Sequence, residues 1–208
     1  MRILIFGASG STGQELVVEG LREGQNITAF VRNPNAISIK NDRLTIFKGD
    51  ILNATQVAEA LKGQDAVISV LGNKTSIAIW RPNTTISDGL RNIIPAMKKA
   101  GVKRLLFVTS FGVSNNIFFL EKLFIKIFLK NIFADIPEQE RLIENSDLDW
   151  TIVRPARLVN NLKTTKYKAG ENLRLGIFSK ISRADVADFL LKSLNEKESF
   201  GKIITVSY

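Results

Sequence analysis

Apolar residues along this chain fall into two alternating patterns. Short, nearly continuous runs occur at 3–6 (ILIF), 26–31 (NITAFV), 44–48 (LTIFK), 66–71 (AVISVL), 104–109 (RLLFVT) and 149–154 (DWTIVR). Runs of this kind belong to strands covered on both faces, which is how parallel sheets are built. Between them the apolar residues take helical spacing: Leu16, Val17 and Leu21 within 14–22; Ile86, Leu90, Ile93, Ile94 and Met97 within 84–100; Val186, Phe189, Leu190 and Leu194 within 182–194. Two further helices are expected at 54–61 and 137–145, the second polar, and a last strand at 203–206. Strands alternating with helices from end to end predict an α/β fold with a doubly wound, mostly parallel sheet. No repeat or low-complexity linker divides the chain, so residues 1–208 are expected to form a single domain.

One segment departs from both patterns. In 117–130, IFFLEKLFIKIFLK, a helix would line up Lys122, Lys126 and Lys130 on one narrow face and leave the rest apolar. It falls short of the roughly 20 residues of a membrane span. A core helix under a loop is the default expectation. A lid over an aromatic substrate, a dimer surface and a membrane-surface contact are the other uses of so broad an apolar face. The chain is accordingly expected to be a monomer or a homodimer through this helix.

Composition narrows the chemistry. The chain has no cysteine and no histidine, which excludes disulfides, thiolate nucleophiles, a Ser-His-Asp triad and histidine-built metal sites. No metal is expected. The net charge of +9 comes from lysines and arginines interleaved with carboxylates. That scatter argues against nucleic acid and for an anionic small molecule served by a few of them. The amino-terminal apolar run is too short for a signal peptide and no run is long enough to span a bilayer, so a cytoplasmic protein is expected.

Candidate chemistry gathers at the predicted strand ends. Gly7, Gly10 and Gly13 follow the first strand at spacings of three and lead straight into a helix. The first allows a sharp turn, the second lets backbone N–H groups approach a pyrophosphate, and the third lets the helix lie close to the strand. A helix amino terminus carries unpaired donors and partial positive charge, so a diphosphate is the natural guest. Arg32, at the end of the second strand, suits the 2′-phosphate of NADP, where an acid would select NAD; a solvated turn arginine is the alternative. Asp50, after the third strand, either accepts from an adenine amino group or caps the following helix. Gly72 would let a cofactor cross the sheet edge. Thr109 and Ser110 end the fifth strand, where hydroxyls reach a nicotinamide or cap the next helix. Pro155 and Ala156 bend the chain at the same edge, with Arg157 just beyond.

In order and spacing these pieces resemble the atypical short-chain dehydrogenase/reductase group that holds the NAD(P)H-binding flavin reductases and biliverdin reductase B, with NmrA-like redox sensors as wider relatives. The resemblance rests on Gly7-Ala-Ser-Gly-Ser-Thr-Gly13, Val31-Arg32, Gly49-Asp50, Val70-Leu71-Gly72, Arg91-Asn-Ile-Ile-Pro-Ala-Met-Lys with Gly101-Val102, Val108-Thr-Ser110 and Asp149-Trp-Thr-Ile-Val-Arg-Pro155. It implies a Rossmann-like domain that binds NADP(H), with NAD(H) also possible. By it, Gly7, Ser9, Gly10, Ser11, Thr12 and Gly13 hold the pyrophosphate and Arg32 the 2′-phosphate. Asp50 and Ile51 hold the adenine, while Leu71, Gly72, Ser110, Pro155 and Ala156 surround the ribose and nicotinamide. Lys74 falls near a basic position of the biliverdin/flavin branch.

Two departures shape the mechanism. The Tyr-x-x-x-Lys pair of common short-chain dehydrogenases is missing, because Tyr167 is followed four residues on by Glu171 and Tyr208 is the last residue. The histidine that some of the biliverdin/flavin branch carries is missing too. A flavin needs no dedicated acid, since the charge it gains on taking hydride is delocalised. The expected activity is therefore NADPH-dependent hydride transfer to a flavin, bound as substrate, or to a quinone-like acceptor. Ser110 is the candidate proton donor, and Lys74, Phe111 and Arg157 are the candidate substrate contacts. An NmrA-like sensor that binds dinucleotide without turnover is the rival, and an epimerase-like use of NADP ranks last.

Overall fold

Ile3, Leu4, Ile5 and Phe6 are completely buried, as a strand covered on both faces requires. They belong to β1 (Arg2–Phe6), the middle of a sheet in a computed structural model that describes residues 1–72, 83–110, 134–176 and 178–208. The expectations for the 117–130 helix, Lys74 and Phe111 lie outside the described residues.

The strands follow as β2 (Asn26–Val31), β3 (Leu44–Lys48), β4 (Ala66–Ser69), β5 (Arg104–Val108), β6 (Asp149–Pro155), β7 (Arg157–Val159), β8 (Lys168–Gly170), β9 (Lys180–Ser182) and β10 (Lys202–Ser207). Eight of them form one sheet in the order β3-β2-β1-β4-β5-β6-β10-β8, parallel except where β8 runs antiparallel along β10. The described helices are α1 (Ser11–Arg22), α2 (Ala54–Ala60), α3 (Thr85–Ala100), α4 (Ile136–Glu144) and α5 (Arg183–Ser193). Strand alternation sorts them into layers. Ile3 and Ile5 join the core under α1 and α5, while Leu4 and Phe6 join the core under α2, α3 and α4. The fold is thus a single Rossmann-like α/β domain, with the mostly parallel sheet anticipated above.

Differences from the expected elements are local. The run 66–71 stays in the sheet only to Ser69, and the polar helix begins at Ile136. The short strands β7, β8 and β9 were not anticipated, because three residues show no period and their partners lie far along the chain.

Two buried ionic groups tie the carboxyl-terminal part to this frame. Arg104 donates to the carbonyls of Ser193, Leu194 and Asp149 at 2.5, 3.1 and 2.8 Å, and its guanidinium stacks over Phe200. Burial pulls its pKa down to about 10, so it still carries charge at neutral pH. Asp185 is fully buried at the start of α5 and accepts from the Thr164 and Thr165 amides, the Ser182 hydroxyl and the Tyr208 hydroxyl at 2.9, 2.7, 2.9 and 2.6 Å. These bonds hold Thr165 in the left-handed region at φ 58°, a conformation a β-branched residue does not adopt unaided. Among the described residues no helix is long and apolar enough to cross a membrane.

Burial alone would raise the Asp185 pKa, but the hydrogen bonds from Tyr208, Thr165, Thr164 and Ser182 outweigh it and leave the carboxyl below its ordinary 3.8. Its contribution to stability is therefore complete above the unfolded value and lost as the pH falls through the folded one. Asp185→Asn is expected to cost about 2 kcal/mol at neutral pH. In urea titrations the gap from the wild type should narrow below pH 3.8, and a gap constant with pH would contradict the assignment.

Candidate functional site

The chain steps outward from β1 through β2 to β3, then returns to the other side of β1 for β4, β5 and β6. In an open parallel sheet that reversal leaves a crevice at the carboxyl ends of the strands on either side of it. A cavity of about 520 Å³ lies there, walled by Gly7, Ser9 and Gly10 after β1, Phe30, Val31 and Arg32 at the end of β2, and Gly49, Asp50 and Ile51 after β3. Val70, Leu71 and Gly72 after β4 and Asn83, Thr85 and Ile86 at the start of α3 complete it. A second depression, on Lys40, Asn41, Asp42 and Arg43, precedes β3 and so belongs to the opposite edge of the sheet.

The glycine turn has a geometric reason at each position. Gly7 takes φ +85°, and a Cβ there would stand 2.8 Å from the Val70 carbonyl oxygen. At Gly13 a Cβ would fall 2.2 Å from the Gly7 carbonyl oxygen, so only glycine lets α1 lie this close to the turn. Gly10 differs: its φ of −76° and ψ of 163° suit any residue, and among the described residues a Cβ would meet only the Gly7 oxygen at an ordinary 3.4 Å. The fold makes no demand at Gly10, and what a side chain there would fill is the cavity. No side chain caps α1, and its first turn, which includes Ser11 and Thr12, has no acidic residue. The positive end of the helix is thus left uncompensated, whereas Asn53 and Ser182 cap α2 and α5.

Around this turn the polar groups divide into used and spare. Arg32 is exposed on the cavity wall and has no hydrogen-bond or ion-pair partner among the described residues. Asp50 accepts the Leu52 amide on Oδ1 at 3.0 Å, and Oδ2 has no partner among the described residues. The capping alternative for Asp50 is corrected here, since the Asn53 side chain accepts the Gln56 amide at 3.1 Å and closes α2 instead. Ile51 is held from beneath: its carbonyl accepts from Asn92 at 2.9 Å, and a Cβ on Gly89 would stand 2.6 Å from its Cδ1. Gly49 makes room for Phe30, whose Cζ would be 2.4 Å from a Cβ at that position. A Cβ at Gly72 would touch nothing within 4 Å among the described residues.

The remaining candidates stand on the same edge but outside the cavity walls. Thr109 and Ser110 follow β5, one strand beyond β4, while Pro155, Ala156 and Arg157 stand at the end of β6, two strands beyond. Ala156 is buried and bonds through its amide to the Val206 carbonyl at 2.9 Å, and the Arg157 amide bonds to the Ser179 carbonyl at 3.3 Å. Thr109 donates its hydroxyl proton to Glu140 at 3.0 Å, and Arg154 grips the same carboxylate through Nε and Nη2 at 2.9 and 2.6 Å. Sequence reading missed Glu140 and Arg154, along with the wall residues Phe30, Val31, Gly49, Val70, Asn83, Thr85 and Ile86. Val31, Gly49, Val70 and Arg154 stood within the motifs that carry the resemblance but were not singled out as site residues; the others carried no local signal.

Neither tyrosine serves this edge. Tyr167 donates to Asp188 at 2.7 Å, and burial together with that carboxylate raises its pKa, so it stays protonated. The Tyr208 hydroxyl goes to Asp185. Among the described residues the carboxylates of Glu19, Glu23 and Asp188 come together closely enough to suggest a cation, but Arg22, Lys163 and Lys192 already pair with Glu19 and Asp188. The hydrogen bond from Arg22 outweighs burial, and with Lys163 it holds Glu19 down at about 2.

Comparison with known proteins agrees with this geometry. Residues 7–197 match the family model described as NAD(P)H-binding. The chain is 30% identical over 202 residues to an uncharacterized sugar epimerase, YhfK of Bacillus subtilis, covering 96% of this chain and 90% of that protein. Among solved structures, ChuY, an anaerobillin reductase from Escherichia coli O157:H7, shares the fold with a TM-score of 0.80 and 24% identity, covering 99% of this chain and 96% of that one. A wide-type short-chain dehydrogenase/reductase from Veillonella parvula, in complex with NADP, has a TM-score of 0.80 at 20% identity, over 100% of this chain and 94% of that one.

The contrast between two glycines is directly testable. Gly13→Ala should lower stability by about 2–3 kcal/mol through overpacking. Gly10→Ala should change it by less than about 1 kcal/mol, because the lower entropy of a less flexible unfolded chain is offset by the poorer helix-capping of alanine at this N-cap position. Thermal melts of the two variants check this, and similar losses at both positions would refute it.

Proposed function

The chain belongs to the NAD(P)H-binding family, and from that premise we propose that it is a reductase that prefers NADPH and passes hydride to a flavin or a similar aromatic, quinone-like acceptor. The observation that carries the reading is one cavity wall on which an uncapped helix start, a glycine with no packing reason to be glycine and an unpaired arginine, all judged among the described residues, come together. A pyrophosphate answers the first two and a 2′-phosphate the third. The reductase reading draws further support from the shared fold of ChuY, named an anaerobillin reductase, and from the NADP complex of the Veillonella protein.

In this proposal the donors of Gly10 to Gly13, with Ser9, Ser11 and Thr12, offset the pyrophosphate charge, and Arg32 pairs with the 2′-phosphate. The spare Oδ2 of Asp50 accepts from the adenine amino group, while Ile51, fixed by Gly89 and Asn92, packs on the ring. When bound, the reduced nicotinamide supplies the hydride. Leu71, Gly72, Ser110, Pro155 and Ala156 surround the ribose and nicotinamide, Ser110 gives a proton to the acceptor, and Arg157 and Lys74 balance the charge the acceptor gains. Phe111 belongs to the acceptor side by its place in the sequence. No tyrosine takes part.

Three measurements test the reading. Arg32→Ala should weaken NADPH binding roughly tenfold to a hundredfold and leave NADH nearly unchanged in titration calorimetry. Equal loss of both would remove the 2′-phosphate role. Gly10→Ala should fold as the wild type does and lose both nucleotides. The wild type should consume NADPH, followed by its absorbance, with FMN, FAD or a quinone. Binding without turnover on any of these would overturn the reductase and leave the sensor.

A further inference from the structure

Beyond the cavity, the carboxyl edge carries one buried ionic group that the proposed reaction does not yet use. Glu140 on α4 and Arg154 at the end of β6 form a two-bond ion pair whose side chains are only 10% and 16% exposed. A buried pair is costly to desolvate, and well-packed apolar residues would serve stability as well or better. Its place is better explained by what it holds. Glu140 Oε1 accepts from both Arg154 Nε and Thr109 Oγ, so one carboxylate fastens the end of β5 to the end of β6. Both side chains leave the sheet on the face that carries Leu105, Phe107 and Ile152, the same face as the Ile86 and Ile51 side of the cavity.

The donor arithmetic then limits the ligand group. A carboxylate held by a guanidinium can only accept, so the Thr109 proton is committed to Glu140. What remains on Thr109 is lone pairs, and these suit a ligand N–H rather than a carbonyl or an anion. Strands are about 4.8 Å apart, so Thr109 stands roughly one strand spacing past the last cavity wall at Leu71, farther from the adenosine side.

We propose that Glu140 is a positioning residue which, by taking the Thr109 proton and locking β5 to β6, presents Thr109 as a pure acceptor for the primary carboxamide of a nicotinamide. This rests on the dinucleotide reading above and deepens it. The assignment gives the two halves of the edge separate anchors: Arg32 and the glycine turn for the phosphates, and the Glu140 network for the base that reacts.

Calorimetry with two probes, NADP⁺ and 2′,5′-ADP, separates the anchors, because the second probe lacks the nicotinamide. Thr109→Val keeps the Glu140–Arg154 pair and should weaken NADP⁺ about tenfold, the cost of one buried hydrogen bond, with 2′,5′-ADP unchanged. Glu140→Gln sets an amide donor against Arg154, should show the same pattern, and combined with Thr109→Val should weaken NADP⁺ no further. Arg32→Ala should instead weaken both probes. Equal weakening of both probes by Glu140→Gln and Thr109→Val is what a merely structural role would produce, and it overturns the proposal, as does no effect of Thr109→Val on NADP⁺. If the wild type binds neither probe, the dinucleotide reading falls and takes this inference with it.

Discussion

Everything at the carboxyl edge depends on the approach of α1 to the turn that precedes it. The Gly7 carbonyl stands where a Gly13 side chain would have to be, and Val70, just past β4, passes close to Gly7. Three elements meet at backbone distance, and only residues without a Cβ permit it. With the helix held there, its uncompensated amino terminus opens onto the crevice left by the reversal of strand order. An anion site follows from the packing itself, and the side chains around it refine what the backbone has already arranged.

Charged groups sort by the work they do. Pairs on the surface, such as Arg2 with Asp65 or Lys98 with Asp147, are solvated and contribute little. Buried ones hold the molecule together: Arg104 collects three carbonyl oxygens from the end of α5 and the start of β6, and Asp185 fixes a loop, a helix start and the last residue at once. Arg32 belongs to neither class, since among the described residues nothing in the protein answers its charge. Arg2, Arg22, Arg91, Arg141 and Arg154 each meet a carboxylate, whereas the partner proposed above for Arg32 is a phosphate of the ligand.

The edge therefore has two halves of different construction. On the β1 to β4 side the site is largely backbone: a turn, a helix end and glycines that leave space. On the β5 and β6 side it is made of side chains tied to one another through Glu140, which binds both Thr109 and Arg154. The first half suits phosphates, which ask for N–H donors and positive charge. In the proposal above, the second takes a flat ring with a directional amide, which asks for fixed acceptors. Such a division gives affinity to one half and orientation to the other.

What the sequence determined by itself was whatever depends on local repetition. Continuous apolar runs named the long strands of the sheet, and β2 and β3 matched to the residue. The glycines at 7, 10 and 13 marked the turn, because a strand, a turn without side chains and a helix lie next to one another in the chain. Only the tertiary structure decided the rest. Strands of three residues carry no period, so β7, β8 and β9 exist only through partners far away. Asn53 displaced Asp50 as the cap of α2 because hydrogen-bond reach, which no letter code expresses, chose between them. Phe30, Asn83 and Ile86 reach the cavity wall because strand order folds distant segments together. Glu140 and Arg154, fourteen residues apart, form a pair at the edge for the same reason: the register of a parallel sheet, set by long-range packing, decides which side chains meet.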